Sequence, residues 1–222
     1  KKDLKLLLSL GYLPPVNKLR KIGKLIDQDI FYPADLMFSS SSKLVQLSTI
    51  VDKKILFPKE YPYTSSTTKI LRENFKELYK DCTKIININS KDLIIDIGSN
   101  DGNLLSNFKT KHRVLGITPE NIGKLAIKKG IRTLIRYFDK STSNLILKKF
   151  GKAKIITATN VFAHIDDLDT LMKNILKILH NDGVFISESH YLVPLIESNQ
   201  YDTIYHEHLR YYSLISLNYL FK

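Results

Sequence analysis

Apolar positions along this chain fall into two regimes, and the change between them lies near residue 67. From about Thr67, the residues Leu71, Phe75, Leu78 and Tyr79 recur at the spacing of one helix face. Beyond that helix, short runs dense in Ile, Val and Leu alternate with segments of helical period. They predict strands near 92–97, 113–117, 131–135, 153–160 and 183–188, with helices near 102–110, 120–129, 141–150 and 167–180 between them. Alternation of this kind requires right-handed crossovers, so an α/β fold is expected, with a doubly wound, Rossmann-like parallel sheet and helices on both faces. Residues 1 to about 66 differ: they carry five of the seven prolines (Pro14, Pro15, Pro33, Pro58, Pro62), a four-serine run at 39–42 and no sustained period. A small irregular unit over 1–66 is expected, followed by a main domain over 67–222.

In open α/β sheets the ligand sits outside the carboxyl ends of the strands, where the strand order reverses. The first, second and fourth predicted strands end at Asp96, Thr118 and Asn160, which should converge. After the first comes Asp96-Ile97-Gly98-Ser99-Asn100-Asp101-Gly102. Gly98 and Gly102 would let backbone approach a ligand, and a following helix would present free N–H groups there. The turn departs from both G-x-G-x-x-G and the phosphate loop, since Asn100 replaces a second glycine and no Lys follows Gly102. An acidic strand end repels phosphate but accepts hydrogen bonds from a cationic amino-acid ligand, and S-adenosylmethionine is one. An ordinary βα turn, with Asp101 as a helix cap, is the alternative.

At 222 residues and 43% hydrophobic composition, the chain can bury one good-sized core with a small appendage. No apolar run approaches the eighteen or so residues of a membrane span. Leu6-Leu7-Leu8 behind Lys1, Lys2 and Lys5 is too short for a signal peptide and leads to Pro14-Pro15, so a cytoplasmic protein is expected. The single cysteine, Cys82, excludes an internal disulfide and a multi-cysteine zinc site within the chain. The net charge of +12 is spread over 34 Lys and Arg with no basic block, so nucleic acid is not the expected partner. Such a field does attract a small anionic substrate, for example a nucleotide-linked metabolite. Nothing in the sequence specifies an oligomeric state.

Three clusters carry candidate chemistry. Residues 201–212 place His206, Glu207, His208, Arg210 and four tyrosines, including Tyr205, within twelve positions. A neutral imidazole is suited to proton removal, and a carboxylate beside it can fix its tautomer. On a strand, His206 and His208 would share a face without a third or fourth metal ligand, and a polar edge strand with aromatic cross-strand packing is the alternative. The second cluster, Asn160 to Leu168, puts His164 at the mouth of the inferred cleft, although a lone loop histidine is more often structural. The third, Tyr61 to Thr67, contains Tyr63 and could be no more than a turn and a helix cap.

Together these pieces resemble the S-adenosylmethionine-dependent sugar C-methyltransferases, which methylate a carbon beside the keto group of nucleotide-linked deoxy-keto-sugars. The resemblance spans Leu10-Gly11 to Pro14, Leu44-Val45-Gln46-Leu47, Tyr61-x-Tyr63-x-Ser65-Ser66, residues 96–102, Asn160-Val161-x-x-His164, Glu188-x-His190-Tyr191-Leu192 and Tyr205-His206-Glu207-His208. It implies a class I methyltransferase sheet with S-adenosylmethionine against Asp96, Gly98, Ser99, Asn100, Gly102, Thr118 and Asn160. It further implies His208 as the base, with Tyr205 and Glu207 orienting it and stabilising the enolate oxygen, and Tyr63 and His164 lining the substrate cleft.

Three departures accompany it. The family's small unit binds zinc through two Cys pairs, but Ser39 and Ser42 stand where the second belongs and the first would precede Lys1, so no metal is expected. The second strand ends in Thr118 where an acidic residue usually holds the ribose, leaving Glu120 to compensate. Finally, only one closing strand fits, near 209–213 before a helical Ser213–Phe221 pattern, so the chain reads as a fragment or a shortened homologue. The remaining alternatives are a methyltransferase with another small acceptor and a degenerate, non-catalytic S-adenosylmethionine-binding module. A nucleic-acid methyltransferase ranks below both, because no Asn-Pro-Pro-Tyr-type motif follows the fourth strand.

Overall fold

The computed structural model describes residues 3–19, 22, 23 and 30–222. They form two compact units, one of Lys1–Pro58, Phe162–Asp166 and Ser189–Lys222, the other of Lys59–Val161 and Asp167–Glu188. Compactness therefore does not follow the linear boundary drawn at residue 66.

The first unit is not irregular at its N-terminal end. Strand β1 (Leu4–Leu13) pairs antiparallel with β2 (Tyr32–Ser39), which pairs with β3 (Val45–Leu47). The β1–β2 register shifts twice, between Leu6 and Leu8 and between Ser9 and Tyr12. Each shift moves the following side chains to the other face, which erases the two-residue period that would have revealed the strand. Leu6, Leu7 and Leu8 consequently stay exposed on an edge. A one-turn helix α1 (Lys53–Leu56), capped by the Asp52 carboxylate, follows β3.

The second unit opens with helix α2 (Lys69–Ile85), which buries Phe75 and Cys82. Strand β4 (Leu93–Ile97) is buried at every position. Helix α3 (Leu105–Phe108), strand β5 (Arg113–Thr118), helix α4 (Gly123–Lys128), strand β6 (Thr133–Ile135), helix α5 (Lys140–Lys149), strand β7 (Ala153–Thr159), helix α6 (Leu168–Ile178) and strand β8 (Leu179–Glu188) follow. The sheet is parallel throughout, in the order β6-β5-β4-β7-β8. This is the doubly wound, Rossmann-like arrangement of class I methyltransferases. Its order reverses between β4 and β7, so the Ile97 and Thr159 ends flank the switch point. Strand β8 begins four residues earlier than its apolar run, because Leu179 pairs with Ala153 before the register jumps to Val184 opposite Ile155.

The chain then returns to the first unit with helix α7 (Leu192–Glu197), strand β9 (Arg210–Tyr211) and helix α8 (Leu214–Leu220). The strand expected near 209–213 does not extend the parallel sheet. It pairs antiparallel with β3, Val45 opposite Tyr211 and Gln46 opposite Arg210, because the apolar Tyr211 completes a core with Val45, Leu47 and Ile204. No helix among the described residues is long and apolar enough to cross a membrane.

Candidate functional site

Each unit carries one concentration of chemistry. In the parallel-sheet unit it is the turn after β4. Gly98 and Gly102 have φ values of +76° and +78°, which L side chains rarely adopt. A Cβ at Gly98 would stand 2.2 Å from Val161 Cγ2, and one at Gly102 would stand 2.6 Å from Ile131 Cδ1. Both glycines are thus required by the protein's own backbone and packing. Three amides of the turn are spent within the protein: Gly98 N (2.8 Å) and Ser99 N (3.0 Å) donate to Ile117 O, and Gly102 N donates to Ser99 O (2.8 Å). The helix predicted over 102–110 contracts to Leu105–Phe108, which removes the expected helix N-terminus from the turn.

What the turn does present is a buried carboxylate. Asp96 is 2% exposed, accepts from Thr157 Oγ1 at 2.6 Å, and is pushed up to about 7 by burial. Ser99 Oγ is buried without a hydrogen-bond partner. A buried carboxyl whose hydrogen-bond partner is a neutral hydroxyl suits a ligand bearing an ammonium group, the chemistry of S-adenosylmethionine. At the end of β5, the Thr118 hydroxyl donates to Glu120, and both residues are buried. Asn160, at φ +55°, ends β7 and donates through Nδ2 to Glu188 Oε1 (3.3 Å), which Asn74 also steadies through Oε2 (2.9 Å).

Asp101 is no helix cap. Its buried carboxylate accepts from Ser65 Oγ (2.7 Å), Ser66 Oγ and Lys129 Nζ (2.7 Å), and these partners hold its pKa down against burial. Asn100 adds bonds to Ser65 N (2.9 Å) and Tyr63 O (3.1 Å), and Asn103 Nδ2 reaches Ser65 O (3.1 Å). The Tyr63–Ser66 segment is therefore strapped to the turn, a link across some 35 residues that local sequence could not reveal.

In the other unit the chemistry is a set of imidazoles. His206 and His208 lie in a tight turn closed by His208 N donating to Tyr205 O at 3.0 Å, not on a strand, so they do not share a face. His206 points to Pro33 O (3.1 Å) and Tyr32. His208 Nδ1 lies 2.8 Å from Thr203 O. A carbonyl only accepts, so Nδ1 carries the hydrogen and the lone pair sits on Nε2, where the Tyr205 hydroxyl donates at 3.0 Å. The acceptor that fixes the tautomer is thus a main-chain carbonyl, while Glu207, the expected orienting carboxylate, accepts from Asn17 Nδ2 at 2.5 Å.

The ring of His208 meets His190 (centroids 4.5 Å apart), His164 (5.1 Å) and Tyr205 (4.1 Å). His164 stacks on Phe57, and its loop is tied to the 208–210 segment by Leu209 N donating to Ala163 O (3.1 Å) and by Arg210 donating to Ile165 O and Asp166 O. Burial holds His164 down at about 3 and His208 at about 4, and it lowers His190 as well. All three are neutral near pH 7, the state a proton acceptor needs. Beyond the resemblance, nothing in the local sequence marks His190.

The serine run forms a hydrogen-bonded knot. Ser39 Oγ (2.9 Å) and Ser41 N (2.8 Å) donate to Asp3 Oδ2, and Ser42 Oγ donates to Ser39 Oγ (2.9 Å). Neutral hydroxyls satisfied by one another are not the thiolate donors that a structural zinc requires, so this knot does not fit the metal. Among the described residues, no three His, Cys, Asp or Glu side chains are grouped to hold one.

The families that match this chain divide it along its length, and the larger match runs through both compact units. A methyltransferase domain family matches residues 69–222, and a zinc binding domain family matches residues 1–57. C-methyltransferase NovU from Streptomyces niveus is 34% identical over 152 residues, which cover 68% of this chain and 36% of NovU, so the chain spans about a third of that relative's length. Among solved structures, the YcgJ protein from Bacillus subtilis superposes with a TM-score of 0.50 at 18% identity, covering 67% of this chain and 66% of that one. A chain of the Haloferax volcanii complex between the Trm112 methyltransferase activator and a methyltransferase gives 0.50 at 14% identity, covering 65% and 67%. These two likenesses show the fold.

Proposed function

The chain belongs to the methyltransferase domain family, and we propose that it methylates the carbon beside the ketone of a nucleotide-linked deoxy-keto-sugar. Its cofactor is S-adenosylmethionine, which when bound supplies the methyl group on a positively charged sulfur. Asp96 accepts from the ammonium group, Glu120 and Thr118 take the ribose hydroxyls, and Gly98, Ser99, Asn100, Gly102 and Asn160 shape the cradle.

The observation that carries the reading is the state of His208: neutral, desolvated, with Nδ1–H pinned to Thr203 O and the Nε2 lone pair held by a single phenol hydroxyl. Nε2 removes the proton from the carbon alpha to the ketone, and the electron pair moves onto the ketone oxygen. Tyr205, released from Nε2, donates to that developing charge. A placed general base contributes about 10²- to 10⁴-fold, and oxyanion stabilisation supplies much of the rest. His164 contacts substrate beside His208, Tyr63 is assigned to substrate as well, and Glu207 holds the turn through Asn17. The dispersed positive charge favours an anionic sugar nucleotide, and one buried thiol suits the cytoplasm, where we place the reaction.

The test is methyl incorporation from labelled S-adenosylmethionine into a panel of nucleoside-diphosphate-linked deoxy-keto-hexoses, with the product read by NMR. The reading predicts a new carbon-bound methyl next to the carbonyl. Methylation at oxygen or nitrogen, or none with any member of the panel, contradicts it.

A further inference from the structure

His190 Nε2 is buried and makes no hydrogen bond, while its ring packs 4.5 Å from His208 and 5.2 Å from Tyr211. A buried polar atom left unsatisfied costs stability, so its presence beside the base needs a cause other than packing. Ser189 Oγ, His206 Nδ1 and Tyr212 Oη are also buried without hydrogen-bond partners, but His190 is the one of these whose ring packs directly on the base, and both nitrogens of His208 are already spent, Nδ1 on Thr203 O and Nε2 on Tyr205.

The geometry points to His190 as a second donor to the substrate's ketone oxygen, acting with Tyr205. This rests on the proposed C-methylation. In the step concerned, the alpha C–H bond breaks and its proton passes to His208 Nε2. The C–H electron pair becomes the carbon–carbon π bond, and the carbonyl π pair becomes a lone pair on oxygen, where the His190 Nε2–H donates. No proton leaves His190. A neutral imidazole is the appropriate donor, because it stabilises negative charge without placing a second cation against His208 as that base is protonated. Burial lowers the His190 pKa and so favours that neutral form. An unmet hydrogen bond in the free protein is then a group reserved for a charge that exists only during reaction.

The experiment is substrate-dependent exchange of the alpha hydrogen with deuterated solvent, run on the 222-residue chain with S-adenosylhomocysteine present, alongside methyl transfer and thermal melting. His190→Phe keeps an aromatic ring and removes the donor; His190→Gln restores an N–H near the Nε2 position. The Phe variant is expected to lose about 10²- to 10³-fold in both exchange rate and kcat. Its KM and S-adenosylhomocysteine affinity should change little and its melting temperature should not fall, while the Gln variant recovers a large part of the lost rate. A merely structural histidine predicts the reverse, with a lower melting temperature and near-normal exchange in whatever remains folded. Exchange within about threefold of the unmodified chain, or unfolding of the Phe variant, overturns the assignment of His190 alone. Absence of exchange in the unmodified chain with every sugar nucleotide tested overturns the proposed function and this inference with it.

Discussion

On the proposed function, the two candidate sites meet opposite demands. In the turn after β4, charged and polar groups are mostly paired inside the protein: Asp101 holds three partners, Asn100 spans Tyr63 and Ser65, and the amides of Gly98, Ser99 and Gly102 are tied down. In the imidazole set, three histidines are pressed together, neutral, and His190 Nε2 is buried without a hydrogen bond. A binding cradle must keep its shape whether or not it is filled, so satisfaction is built in. A site for proton transfer must meet charge that appears only in the reaction, so capacity is left open. Asp96 and Ser99 Oγ are the exceptions within the turn, and on the proposed function it is the ligand that meets them.

The contrast is most easily broken at Asp101. Asp101→Ala removes the acceptor shared by Ser65, Ser66 and Lys129, and should destabilise the chain by about 2–4 kcal/mol. Cofactor affinity should fall with it; denaturant melts and calorimetry measure both. A loss below about 0.5 kcal/mol would mean that the strap is ornamental.

The exception at Asp96 predicts a pH effect on binding. With its folded pKa raised to about 7, the carboxyl must lose a proton to meet an ammonium group. Affinity for S-adenosylmethionine should therefore weaken about tenfold per pH unit as pH falls below 7, and Asp96→Asn should flatten that slope. Calorimetry in buffers of different ionisation enthalpy reports the released proton.

Stability against pH sharpens the comparison further, because the two sites respond with opposite sign. The free protein prefers Asp96 protonated, so that group's contribution is lost as pH rises from about 4 through about 7. His164 and His208 have pKa values lowered to about 3 and about 4, so the unfolded chain binds more protons below the ordinary histidine range near 6.5. Their contribution is fully present above about 6.5 and lost as pH falls toward 4. His164→Phe should shallow the acid limb of the stability profile, and Asp96→Asn the neutral limb; unchanged limbs would show that these groups are not desolvated.

Sequence and structure agree where physics is local. Continuous apolar runs identified β4, β5 and β7 within a residue or two, because strands buried on both faces have no other solution. Strand β1 was invisible because two register shifts scramble its faces, and β9 was misplaced because two residues carry no period and only the Tyr211 core contact decides their sheet. Among candidate site residues, Asp96, Thr118 and Asn160 follow from their places at strand ends and His208 from the resemblance. The Asp101 strap, the Asn17–Glu207 bond and the open nitrogen of His190 depend on partners far away in sequence, so no local pattern announces them.

The account stands or falls on proton removal by His208. With S-adenosylhomocysteine in place of the methyl donor, the unmodified chain should exchange the hydrogen alpha to the ketone of a nucleoside-diphosphate-linked deoxy-keto-hexose with deuterated solvent. His208→Ala should bind S-adenosylhomocysteine normally and exchange at least about 10³-fold more slowly. Exchange that persists in the His208→Ala protein would contradict the assignment of the base.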